Sequence, residues 1–86
     1  MKLKFLSDSE LEIVTDYDAV YERPVTENQA FVAGTVVEVD ITDVNEEHRV
    51  FDMQFGDGSM AYNMQPGWFQ VVEGEIKDLL GCTLAN

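Results

Sequence analysis

The chain has 86 residues, with 5 Lys+Arg against 17 Asp+Glu and a formal net charge of −12, which leaves room for one domain around one core. That charge opposes a direct grip on a phosphate backbone and favours a basic partner surface. Apolar residues make up 45% of the chain and include one Trp, three Tyr and five Phe, enough to pack a core and to argue against disorder in spite of the charge.

Met1 to Leu6 is followed at once by Ser7-Asp8-Ser9-Glu10, so the start lacks the about 7 to 15 apolar residues of a secretory signal. No stretch nears the roughly 18 apolar residues of a membrane span, and a cytoplasmic location is expected, in a cell or in a phage-infected host. Lys2 to Leu6 and Glu10 to Thr15 alternate in polarity. They read as a first hairpin joined by Ser7-Asp8-Ser9, with Leu3, Phe5, Leu11 and Ile13 inward. Asp16 to Ala30 carries no clear period. Asp18 to Glu22 suits a helical turn that Arg23-Pro24 would end, and the stretch reads mostly as loop.

From Thr35 to Thr42 the two-fold period is clearest, with Val37, Val39 and Ile41 on one face and Val36, Glu38 and Asp40 on the other. Gly34 turns the chain into this strand, and Asp43 to His48 reads as the loop after it. Val50 to Phe55 alternates again, with Phe51, Met53 and Phe55 inward. Gly56-Asp57-Gly58 has the Asp-Gly pair that favours a tight hairpin, and Met60, Tyr62 and Met64 resume the alternation. Gln65-Pro66-Gly67 ends that strand, Trp68 and Phe69 lead into a closing strand at Val71-Val72, and Glu75 to Leu80 has helical spacing stopped by Gly81. The expected fold is a mostly β domain: a small antiparallel barrel of five or six strands with a short C-terminal helix. Its core would centre on Phe5, Leu11, Ile13, Val37, Val39, Ile41, Phe51, Met53, Phe55, Met60, Tyr62 and Trp68.

Residues 31–73 resemble an SH3-like barrel of the Tudor or KOW kind. The resemblance is carried by Phe31-Val32-Ala33-Gly34 before a Val-x-Val strand, by Val50 to Phe55, by the Gly56-Asp57-Gly58 hairpin with Met60 to Met64, and by Pro66-Gly67-Trp68-Phe69 before Val71-Val72. In such barrels a short turn precedes the final strand. The chain lacks the Ala-Leu-Tyr-Asp-Tyr segment and paired tryptophans of peptide-binding SH3 domains. The Tudor resemblance implies an aromatic cage for a methylated lysine or arginine, built from Phe55, Tyr62, Trp68 and Phe69 with Asp57 as counter-charge. Cross-strand packing in the core is the competing account of the same aromatics, with Phe55 and Tyr62 close to opposite each other.

Catalytic chemistry finds little support. His48, the sole histidine, lies in a polar loop beside Glu46 and Glu47, and the sole cysteine, Cys82, has no partner for a disulfide or a metal-ligand pair. Asp43, Glu46 and Glu47 offer oxygen ligands but lack the spacing of a calcium loop. Gly56-x-Gly58 lacks the remaining glycines and lysine of a phosphate cradle. No catalysis, metal or cofactor is expected.

The acidic residues carry the sharper expectation. Glu10 and Glu12, Glu38 and Asp40, and Asp52 point outward from three strands, and Asp43, Glu46 and Glu47 extend the row through a loop. A solubilising surface is the ordinary explanation, but a charge of −12 exceeds the about 2 to 8 that suffices for a small domain. The expected function is a non-enzymatic acidic binding protein, a nucleic-acid mimic that inhibits a DNA- or RNA-binding protein, as anti-CRISPR and anti-restriction proteins do. The alternative is an SH3- or Tudor-like module that binds a peptide through Tyr62, Trp68 and Phe69. Exposed Met60 and Met64 on an edge strand would also permit a homodimer.

Overall fold

The structure, a computed structural model, describes residues 1–75. Beyond Glu75, the helix expected over Glu75 to Leu80 lies outside the described residues, as does Cys82. Seven strands form one antiparallel sheet: β1 (Lys2–Phe5), β2 (Ser9–Asp18), β3 (Arg23–Phe31), β4 (Val36–Asn45), β5 (Val50–Phe55), β6 (Met60–Met64) and β7 (Phe69–Glu73). Their order across the sheet is β3-β2-β6-β5-β4-β1-β7. Among the described residues no helix is long and apolar enough to cross a membrane.

The sheet is strongly curled but open. Phe5 on β1 and Phe31 at the end of β3 stand five places apart in the strand order, about 24 Å in a flat sheet. Their rings nevertheless stack at 4.6 Å, 9° from parallel. Phe69 meets Phe5 edge-on at 4.9 Å, and Phe31 stacks on Phe55 at 6.1 Å. The chain just after β3 completes the join, since Phe5 N donates to Thr35 O (2.9 Å) and Gly34 N donates to Phe5 O (2.8 Å). Around this aromatic stack Leu3, Leu11, Ile13, Val39, Phe51, Met53, Ala61 and Met64 are buried, with Val37, Ile41 and Trp68 packed against them. Among the described residues β3 and β7 each pair on one side only and form the two edges of the sheet.

Several expectations are corrected by the strand pairings. Lys2–Phe5 and Ser9–Asp18 do not form a hairpin: β1 pairs with β4 and β7, while β2 crosses to pair with β3 and, at Val14, with β6. The inward residues of both strands are still buried, because alternation fixes the face of a strand and not its neighbour. Asp16 to Ala30 is not a loop. It forms the outer part of a long β2–β3 ribbon, turned at Ala19–Glu22, where Asp18 Oδ1 accepts from Val20 N (2.9 Å) and Glu22 adopts a φ of 53°.

On β6 the expected alternation breaks. Phe51 pairs with Met64 but Met53 with Ala61, so the span from Ala61 to Met64 opposes a shorter span on β5. Asn63 takes the left-handed φ of 58° and its N–H reaches Asp52 Oδ1 at 3.0 Å. This bulge turns Ala61 and Met64 inward and leaves Tyr62 48% exposed. β6 is also interior to the sheet with Met64 buried, so the edge contact through Met60 and Met64 suggested for a homodimer does not exist there.

Candidate functional site

The outward face of the sheet is set by register. Val14 pairs with Met60, Met60 with Gln54, and Gln54 with Asp40. Paired residues share a face, so these four side chains form one row across β2, β6, β5 and β4. Along β4, Glu38 and Asp40 lie on this face by simple alternation. Thr42 is an extra residue opposite β5, since Ile41 pairs with Met53 and Asp43 with Asp52. The bulge keeps Ile41 and Val44 inward while returning Asp43 to the outer face beside Asp52.

The structure therefore brings Glu38, Asp40, Asp43 and Asp52 together on two adjacent strands, with Glu46 and Glu47 in the turn that follows β4. Glu38, Asp40, Asp43, Glu46 and Glu47 are exposed, and none of them is ion-paired among the described residues. Asp52 is half-buried and committed to Asn63 N, and Asp43 Oδ1 accepts from Val44 N at 3.0 Å. Lys2 and Lys4 on β1 bound the acidic face on one side. Lys2 stands opposite Glu38 and makes an ion pair with Glu73 at 3.4 Å. Glu10 and Glu12 are exposed on the same outward side of β2, separated from β4 by β6 and β5. The carboxylates thus lie on two strands of the outward face, β2 and β4, with β6 and β5 between them.

The expected aromatic cage does not assemble. Phe69 is buried in the core, Trp68 is half-buried on the 3₁₀ turn Pro66–Trp68, and Phe55 faces Phe31 inside. Only Tyr62 of that set faces out, and it is not opposite Phe55: the Phe55 N–H bonds to Ser59 O at 2.8 Å across the hairpin. Tyr62 instead joins Glu12, Val14, Tyr17, Pro24 and Met60 around an open, largely apolar groove of about 620 Å³. Sequence reasoning missed Tyr17 and Pro24 because Asp16 to Ala30 lacks a clear period, and Val14 because it sits on the outward face of an alternating strand among glutamates. The available signal was two tyrosines, Tyr17 and Tyr21, in an otherwise acidic stretch.

Asp57 is structural. In the β5–β6 turn its Oδ1 accepts from the Ser59 hydroxyl and from Ser59 N (2.9 Å), and these bonds, the hydroxyl first, hold its carboxyl below the usual aspartate value. A lowered value in the fold means that this contribution to stability is present at neutral pH and disappears as pH falls through the lowered value. Ser59→Ala is expected to raise the Asp57 midpoint toward that of an ordinary aspartate in a side-chain NMR titration. An unmoved midpoint would show that the hydroxyl is not the cause.

His48 is exposed in the turn after β4, its N–H donating to Asn45 Oδ1 at 3.0 Å. Among the described residues, no three of His, Cys, Asp and Glu gather closely enough to hold a metal ion. Compared with protein-family profiles, curated proteins and solved structures, the chain matches none.

Proposed function

We propose that this protein is a non-enzymatic acidic inhibitor that occupies the cationic groove of a DNA- or RNA-binding protein, in the manner of phage counter-defence proteins. One observation carries the reading: among the described residues Glu38, Asp40 and Asp43 share one face of β4 and make no ion pair, with Glu46 and Glu47 in the turn that follows. Glu38 and Asp40, two residues apart on β4, stand about 6.6 to 6.8 Å apart along the strand, close to twice the about 3.4 Å rise per nucleotide of one DNA strand, and Asp43 follows beyond the Thr42 bulge. A rigid sheet holds that spacing before contact, so less ordering entropy opposes binding. Glu10 and Glu12 on β2 add negative charge to the same outward face.

The same fold reading extends the SH3-like resemblance. The 3₁₀ turn Pro66–Trp68 directly before β7 and the β4-β5-β6 meander support an SH3-like barrel, now including β1 as a partner of both β4 and β7. A second reading, a peptide-binding module, is favoured by exposed Tyr62 in its apolar groove. Its surface narrows to Tyr62 from the original set, since Phe69 belongs to the core and Trp68 is half-buried.

The test is affinity against salt. The partner recovered on the immobilised full chain from its native host is expected to be a nucleic-acid-binding protein, to be competed off by DNA or RNA, and to bind at least about tenfold more weakly at 200 than at 50 mM salt. Salt-insensitive binding without competition overturns the proposal.

A further inference from the structure

We propose that β3 receives an extended, lysine- or arginine-bearing segment of the partner protein as an eighth strand. This inference rests on the reading of the partner as basic. Among the described residues β3 is the first strand in the order and pairs only with β2, and Arg23 to Ala30 are all exposed. One row of its backbone N–H and C=O groups therefore faces outward, ready to extend the ladder. Proteins usually blunt such an edge with short length, lysine or proline. Here the strand has nine residues, and from Val25 to Ala30 it carries neither lysine nor proline. The opposite edge, β7, has five residues.

Charge selects the occupant. The β2–β3 ribbon bears Glu10, Glu12, Asp16, Asp18, Glu22 and Glu27, against the single cation Arg23, whose guanidinium lies 5.3 Å from the centre of the Tyr21 ring. Pairing two copies edge to edge would join two such ribbons, and like charges across a ladder are destabilising. A basic strand is attracted to the same place. The side chains supply a pattern as well. Val25, 42% exposed, and Glu27 are two apart and so share a face of β3. The incoming strand is thus expected to place an apolar residue against Val25 and a lysine or arginine against Glu27. Tyr17, 60% exposed and paired with Pro24, adds apolar surface on the other face.

The experiment uses the isotope-labelled full chain and two synthetic peptides of equal charge. One is Val-Thr-Lys-Thr-Val-Thr-Lys-Thr, and the other has its fourth residue replaced by proline. The first is expected to slow amide exchange across Val25 to Ala30 by about tenfold or more when bound, and the second to leave these amides unchanged. Glu27→Lys, a change at an exposed position, is expected to weaken the first peptide about tenfold with the spectrum of the fold intact. Equal binding of both peptides overturns strand addition. So does concentration-dependent protection of β3 without peptide, which would assign the edge to a second copy. Salt-dependent binding confined to Glu38–Asp43 overturns strand addition and leaves the inhibitor reading standing. Failure of both peptides to bind also overturns strand addition, while the salt and competition test decides the inhibitor reading separately.

Discussion

Phe5→Ala is expected to cost about 3 to 5 kcal/mol of stability. Small domains hold only about 0.05 to 0.15 kcal/mol per residue, about 4 to 13 kcal/mol for a chain of 86 residues, so a loss of this size takes about a quarter of the margin at the least and all of it at the most. The reason lies in the position of the ring as much as in its area. Phe5 is fully buried and touches both Phe31, at 4.6 Å, and Phe69, at 4.9 Å. It therefore bridges strands that the sheet order holds far apart; the truncation leaves the two backbone bonds between Phe5 and Gly34–Thr35, but no ladder joins β1 to β3. Truncation leaves a cavity at the seam where the curled sheet nearly meets itself, and the surrounding rings cannot collapse into it without uncurling the sheet. Val20→Ala is the matching control. Val20 is 85% exposed at the tip of the ribbon, and its loss is expected to change stability by no more than about 0.5 kcal/mol. Urea unfolding of the two variants beside the parent checks both values. A cost below about 1 kcal/mol for Phe5→Ala would mean that the aromatic stack does not close the core.

The faces of the strands were legible in the sequence, whereas their partners were not. Val37, Val39 and Ile41 turn inward, and Phe51, Met53 and Phe55 do the same, because a period of two needs only local information. The tight turn at Gly56-Asp57-Gly58 was equally local. Its Gly58 takes a φ of 90°, which the missing Cβ permits. Pairing β1 with β4 and β7 depends on the burial of Phe5 against Phe31 and Phe69, contacts that no short window contains. β3 escaped notice for a different reason. Thr26-Glu27-Asn28-Gln29 is exposed on both faces, so hydrophobicity has nothing to alternate with, and Pro24 looked like a terminator although an edge strand tolerates proline. The bulges explain the mixed outcome at the candidate site. Thr42 preserves the outward direction of Asp43, so Glu38, Asp40 and Asp43 share one face of β4, with Glu46 and Glu47 in the turn that follows it. Asn63 shifts β6 instead, taking Tyr62 out of the core and breaking up the aromatic set that included Trp68 and Phe69.

The triple variant Glu38→Lys/Asp40→Lys/Asp43→Lys is expected to weaken partner binding by about 100- to 1,000-fold while leaving the fold intact. All three side chains are exposed and none is ion-paired among the described residues, so their reversal breaks no ion pair there. Each reversal changes the charge by two, and three reversals take the formal net charge from −12 to −6, which also relieves self-repulsion. Across the ladders the reversals offset one another: Glu38→Lys sets a lysine opposite Lys2, whereas Asp43→Lys replaces the like charge opposite Asp52 with an opposite one. Stability is accordingly expected to stay within about 1 kcal/mol of the parent in urea unfolding. The neutral set Glu38→Gln/Asp40→Asn/Asp43→Asn keeps the shape and is expected to lose less affinity, because it removes attraction without adding repulsion. Salt separates this charge effect from a change of contact surface. At about 1 M salt the screening length falls to about 3 Å, and the parent and the triple variant are expected to bind with nearly the same weak affinity. Tyr62→Ala provides the opposing case, for it deletes the exposed aromatic in the neighbouring groove and leaves every carboxylate in place. If Tyr62→Ala abolishes binding and the triple lysine variant binds normally at low salt, the acidic row along β4 is a solvated surface and the groove is the binding site.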